Sequence, residues 1–205
     1  EILIIVPTNR KIRYLKRELV SQSPGKSVSK INLHTFETFT TQIFQTNDFD
    51  SFKSLSEASS AVLLSKSFKK TELKYFSNYK NEIPRGTLDR IKNVITQYKL
   101  NGISPEQIIS ESKKLEGSEK LKATDIANVY KNYLVYCKEL NVYETGDVYS
   151  EVLGLDKKDF ILRFNNSFRG INTTVINGFD EFTQPEIDII NRTADVEGIA
   201  LSVMF

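Results

Sequence analysis

The sequence predicts an α/β protein: a parallel sheet with a long helical insertion. Three observations carry this reading. Short apolar runs rich in β-branched residues stand near both ends of the chain. Each is followed or preceded by a segment of helical period, which favours parallel pairing over hairpins. Between about residues 55 and 165 the period is almost wholly helical. At 205 residues the chain can bury the core of one α/β domain carrying one insertion. The expected division is therefore residues 1–54 as the first part of the core, 55–165 as the insertion and 166–205 as the second part.

The elements follow in order. Glu1-Ile2-Leu3-Ile4-Ile5-Val6 reads as a strand buried on both faces, broken by Pro7-Thr8-Asn9 with Thr8 or Asn9 as helix N-cap. The helix beyond places Ile12, Leu15 and Leu19 on one stripe, with Arg10, Arg13 and Arg17 elsewhere. After a turn over residues 21–29, Lys30-Ile31-Asn32-Leu33 forms a second strand, and His34-Thr35-Phe36 opens a helix carrying Phe39, Ile43 and Phe44. In the insertion, Leu88, Ile91, Ile95 and Tyr98 make one stripe. Ile126, Val129, Tyr130, Tyr133, Leu134 and Cys137 make another, and Ser104-Pro105-Glu106 marks a helix start. Strand character returns at residues 173–177, then a helix near 185–192 and a last strand at 199–205.

Composition narrows the function. No apolar run approaches the roughly 20 residues of a membrane span, so no membrane partner is expected. A single cysteine, Cys137, forbids an internal disulfide and fits a cytoplasmic protein. A single histidine, His34, forbids a two-histidine metal site, and no catalytic constellation or metal site is visible. The net charge of +2 conceals an asymmetry: +5 over residues 1–30, +6 over 66–131 and −5 over 171–205. Basic stretches suit a polyanion such as nucleic acid, while solvation alone is the ordinary role of such a face.

Three stretches, in this order, resemble superfamily 1 helicases, and particularly the degenerate helicase domain of AddB-type helicase–nuclease subunits. They are Ile2 to Leu19 with its Thr8-Asn9-Arg10 turn, Ile31 to Phe39 with its Thr35-Phe36 pair, and Val175-Ile176-Asn177-Gly178-Phe179-Asp180-Glu181-Phe182-Thr183-Gln184-Pro185-Glu186. Asn128 to Tyr133 and Thr145-Gly146-Asp147-Val148 look like the end of that family's inserted helical subdomain. The resemblance implies a P-loop-NTPase-like parallel sheet with helices on both faces. It also implies a role in DNA double-strand break processing and recombinational repair, beside an AddA-type motor subunit. The parent's exonuclease site, with magnesium and an iron–sulphur cluster, is expected outside this chain, and no cofactor is expected within it.

The chemistry of ATP hydrolysis is the sharper test. A phosphate loop needs a glycine-rich turn between strand and helix, with a lysine and a hydroxyl. Gly25-Lys26-Ser27 imitates its end, but the earlier glycine position holds Val20 and the fragment follows a helix. The second requirement is a strand ending in an aspartate for magnesium and a glutamate for water. Those places hold Asn177 and Gly178; Asp180 and Glu181 stand three residues further on, as a solvated acid pair at a helix start or a displaced metal site.

The resulting expectation is a non-catalytic domain that holds single-stranded or end-resected DNA. Thr8, Asn9, Arg10 and Arg13 would meet phosphate at one turn, and His34, Thr35 and Phe36 at the next. Phe36 suits either base stacking or the core, the latter being the commoner place for it. Two alternatives stand: an active helicase fragment lacking its phosphate loop by truncation, and a structural subunit-interface domain that never meets DNA.

Overall fold

The computed structural model describes residues 1–25, 31–45, 53–79 and 82–204. In chain order the elements are β1 (Ile2–Val6), α1 (Asn9–Gln22), β2 (Asn32–Thr35), α2 (Phe36–Gln45), β3 (Lys53–Ser54), α3 (Glu57–Lys70), α4 (Arg85–Leu100) and α5 (Pro105–Ser112). They continue with α6 (Gly117–Glu139), β4 (Val142–Tyr143), α7 (Thr145–Gly154), α8 (Lys157–Ser167), β5 (Thr173–Asn177), α9 (Gln184–Ala194) and β6 (Ala200–Met204). The chain divides into a sheet unit, Glu1–Ser51 with Val148–Phe205, and a helical unit, Phe52–Asp147. This division puts residues 148–165 with the sheet, where periodicity alone had grouped them with the insertion. Lys26 and Ser27 of the phosphate-loop imitation, Lys30 of the second strand and Phe205 of the last lie outside the described residues.

In the sheet unit four strands pair in the order β2-β1-β5-β6, all parallel. This is the α/β class the sequence predicts. Leu3, Ile5, Thr174 and Ile176 share one face, since the register pairs Leu3 with Thr174 and Ile5 with Ile176, and all four are buried. The opposite face is less covered. Ile2 is 54% exposed and Ile4 half-buried, so β1 is not enclosed on both faces as its unbroken apolar run predicts. An all-apolar strand reports hydrophobicity, whereas enclosure depends on how far helices cover each face.

The second strand is also displaced from its predicted place. It runs Asn32–Thr35, and the helix opens at Phe36 rather than at His34. Thr35 is held in the strand by its pairing with Val6, while its hydroxyl accepts from the Thr38 amide at 3.2 Å and so caps α2. At the other side of the core, the Arg192 guanidinium donates to the Leu155 and Leu153 carbonyls at 2.7 and 2.6 Å, tying α9 to the end of α7.

The helical unit is organised on α6, against which α3 and α5 pack. Its core includes Phe68, Ile91, Ile95, Ile126, Tyr130 and Cys137, so both predicted stripes point inward. Burial of each phenylalanine or isoleucine among them contributes about 1.5–3 kcal/mol. Ser104 caps α5 and exchanges hydrogen bonds with Gln107, the start that Ser-Pro-Glu announces. One feature has no trace in the periodicity: β3 and β4, two residues each, pair in parallel, so the chain enters and leaves this unit side by side.

A buried cation holds the exit. The Lys99 side chain is 2% exposed and its ammonium donates to Glu144 and Asp147, each at 2.8 Å, over the Tyr133 ring. Burial alone would favour the neutral amine, but Asp147 and Glu144 more than offset it and raise the Lys99 pKa. Tyr133 donates its hydroxyl to Glu144 at 2.9 Å, completing the cluster. Gly146 permits it: a Cβ there would stand 2.5 Å from the Lys99 carbonyl carbon and 2.7 Å from its oxygen. Because those atoms are backbone, Gly146→Ala should cost about 1–3 kcal/mol. Urea unfolding should show a lower midpoint for this variant, whereas Gly154→Ala, with open space around it, should be near wild type.

Candidate nucleic-acid interface

Register alone assembles the candidate site. Val6 pairs with Thr35 and Ile5 with Ile176, so the segments after β1, β2 and β5 all emerge at one end of the sheet. The strand order reverses at β1, which has β2 on one side and β5 on the other. In open α/β sheets the crevice beyond the carboxyl ends of the strands at such a reversal is where ligands bind.

The first turn belongs to α1. Thr8 is extended, and its hydroxyl accepts from the Lys11 amide at 3.2 Å, making it the N-cap. Thr8, Asn9, Arg10 and Arg13 are all exposed, and Arg10 and Arg13 form no ion pair among the described residues. The first turn of α1 has no acidic side chain, so its positive dipole end is uncompensated there. Lys11 joins this group without having been singled out in the sequence. A Cβ on Gly178 would lie 3.8 Å from Lys11 Cε and 4.0 Å from its Nζ, so the lysine reaches across from the β1 turn to the end of β5.

The second turn is more enclosed than the sequence implies. Thr35 is buried, and its amide and hydroxyl both engage the Thr38 hydroxyl, at 2.8 and 3.1 Å. Phe36 is 3% exposed and meets Tyr149 and Phe179 edge-on, with centroids 5.6 and 6.3 Å apart. It is a core residue, and a ring so covered has no free face for a base. His34 is half-buried, edge-on to Phe168 at 5.5 Å. Burial first, then Lys16 nearby, lower its pKa below 6.5 and leave it uncharged at neutral pH. Phe36 thus has no free ring face, and His34 could meet a phosphate only as a neutral hydrogen-bond donor; the first turn is the more exposed of the two.

The third turn replaces chemistry with packing. Asn177 ends β5, and Gly178, at φ +77°, takes the left-handed conformation that glycine allows and donates its amide to Met204 at 3.0 Å. Phe179 is buried and stacked on Phe182 at 4.9 Å, anchoring the loop to the aromatic cluster around Phe36. The loop closes where the Thr183 amide and hydroxyl both donate to Glu186, at 2.9 and 3.0 Å. Burial, then Glu186 and Glu37, push the Tyr149 phenol well above its ordinary pKa, so it stays a neutral donor. Asp180 and Glu181 are exposed in the loop before α9, rather than at the helix start itself. Among the described residues no three histidine, cysteine or carboxylate groups converge as metal ligands. Sequence reasoning missed Lys11 and Phe179. A glycine directly after a strand was the available signal for the first, and aromatic spacing for the second.

The family model described as "ADDB, N-terminal" matches residues 1–196, and the chain belongs to that family. A search of curated proteins returned no match.

The lowered pKa of His34 has a measurable consequence. The unfolded imidazole takes up its proton near pH 6.5, the folded one only at lower pH. Stability is therefore complete above about pH 6.5 and is lost as pH falls below it, by at most about 1.4 kcal/mol per pH unit. Urea midpoints at pH 8 and pH 5.5 should differ less in His34→Gln than in wild type; equal differences would remove His34 as the cause.

Proposed function

We propose that this chain is the DNA-holding, non-hydrolysing helicase-like domain of an AddB-related helicase–nuclease subunit. In this reading it acts with an AddA-type motor on the ends of broken double-stranded DNA. The observation that supports it most is the charge layout of the sheet edge. Arg10, Lys11 and Arg13 stand at the β1 end, in the first turns of α1, while Asp180 and Glu181 stand on the β5 loop. Phosphates belong over the β1 turn, where cations and a helix N-terminus meet them without regard to base sequence.

The same edge argues against hydrolysis. Asn177 offers magnesium no charge, and Gly178, whose open side is approached by Lys11, offers no carboxylate to position water. A second reading, a subunit interface, has its own observation in α1, where Tyr14 is 58% exposed and Leu19 and Val20 more than a third exposed.

Fluorescence anisotropy with a single-stranded oligonucleotide at several salt concentrations separates the two. Wild type should bind at low salt, and Arg10→Ala should weaken binding by a similar factor for every sequence and flatten the salt slope by about one unit. Equal affinity and slope in the variant would remove this turn as a contact, and no binding at low salt would favour the interface. Titration of Mg-ATP by calorimetry should give no saturable heat at millimolar nucleotide. Saturable binding with phosphate release would restore the active-helicase alternative.

A further inference from the structure

The helical unit carries a second feature suited to the same polymer, and it owes nothing to the helicase-like motifs. Between Leu73 and Tyr79 the chain forms a tight knuckle closed by a 3-10 turn over Ser77–Tyr79, in which the Tyr79 amide donates to the Phe76 carbonyl at 2.9 Å. The knuckle is held from beneath by Asp125 of α6. This carboxylate is 1% exposed and accepts from three successive amides: Lys74 at 3.0 Å, Tyr75 at 2.8 Å and Phe76 at 3.0 Å. A buried carboxylate costs free energy unless it is fully hydrogen-bonded, and here backbone donors alone satisfy it. The result is a rigid aromatic group. Phe76 is buried, while Tyr75 and Tyr79 remain 44% and 38% exposed, with Tyr75 edge-on to Phe76 at 4.8 Å.

These rings border a pocket of about 250 Å³ that is also lined by Arg90 and Ile91 of α4 and Lys122 of α6. Its lining contains two cations and no carboxylate, and neither cation forms an ion pair among the described residues. Two other grooves of this unit differ on that point. In one, Lys92 lies 3.8 Å from Glu57; in the other, Lys114 lies 2.7 Å from Glu111, so a carboxylate stands beside each of these lysines. The pocket falls below the roughly 300–1,000 Å³ of drug-sized ligand sites, which suits one flat ring rather than an extended molecule. Flat rings beside free cations are how proteins hold single strands without reading sequence: bases stack on the aromatics and phosphates meet the cations.

We infer that the pocket formed by Tyr75, Tyr79, Arg90 and Lys122 is a stacking site for an unpaired base of single-stranded nucleic acid, with its flanking phosphates on the two cations. It rests on the reading of the chain as a single-strand binder, but on residues separate from the β1 turn. Its test is designed so that the two can fail independently. The probes are a dT oligonucleotide and an abasic oligonucleotide of equal length, measured by anisotropy with the whole chain. Wild type should prefer the dT strand, and the double variant Tyr75→Ala/Tyr79→Ala should lose about tenfold in dT affinity, within the range stacking supplies per base. Its abasic binding should be little changed. Tyr75→Phe/Tyr79→Phe should retain the dT preference, because the ring faces remain. Arg90→Ala/Lys122→Ala should weaken both probes and flatten the salt slope by up to about two units.

Equal dT and abasic affinities in wild type, or a dT preference that survives the double alanine variant, would overturn the stacking site. If those results accompany weakened binding by Arg10→Ala, the sheet edge still stands as the single-strand contact. Loss of the dT preference in the double alanine variant with no effect of Arg10→Ala would support the pocket and remove the edge. No binding of either probe by wild type would overturn both. Tyr75 and Tyr79 pack on Phe76 and are more than half covered, so the alanine variant should unfold at a somewhat lower urea midpoint and the phenylalanine variant at the wild-type midpoint. Loss of the dT preference in the phenylalanine variant, whose ring faces remain, would overturn the site.

Discussion

Everything in the sheet unit depends on the pairing of β1 with β5. Ile2 meets Thr173 and Ile5 meets Ile176 across about 170 residues of intervening chain. That pairing completes the buried face of Leu3, Ile5, Thr174 and Ile176, and it sets the loops of three separate motif stretches along one edge. Closing so long a loop costs entropy that grows only logarithmically with length, so a modest apolar face can sustain it. The helical unit eases the constraint from within. Its first and last strands, β3 and β4, lie side by side, so its two chain crossings are adjacent and an insertion of this size is compatible with continuous pairing elsewhere.

Much of this was legible in the residues. All four sheet strands were visible as short strand-like segments, β2 two residues from its observed place, and both helical stripes of the insertion face its core as periodicity requires. The N-cap at Thr8 and the α5 start at Ser104 follow from side-chain oxygens placed to meet free amides. What was not legible is physical rather than accidental. The shift of β2 to Asn32–Thr35 depends on Thr35 serving strand and cap together, which no period reveals. The exposure of Ile2 depends on how far the sheet is covered, and the two-residue strands β3 and β4 are shorter than any pattern.

The candidate site was only partly legible, for a related reason. Residue types at a motif turn indicate what chemistry is available, but burial decides which of them can exercise it. Phe36 and Thr35 are spent on the core and on a helix cap, and His34 is uncharged because burial disfavours its cation. Arg10 and Arg13 keep their charge at the surface, joined by Lys11. Polar groups that are buried elsewhere serve shape. Asp125 organises the aromatic knuckle through backbone amides, and Lys99 secures the exit of the helical unit through Glu144, Asp147 and the Tyr133 ring.

In the proposed function a single strand lies over the carboxyl edge of the sheet, at the β1 turn. Amide hydrogen exchange followed by mass spectrometry, with and without a saturating single-stranded oligonucleotide, tests it most directly. Peptides covering the start of α1, from Thr8 to Arg13, should exchange more slowly when the strand is bound, because phosphate occupies the free amides of the helix N-terminus. Peptides covering β6 should be unchanged. Protection confined to other parts of the chain, with the start of α1 exchanging as in the free protein, would rule out the β1 turn as the contact.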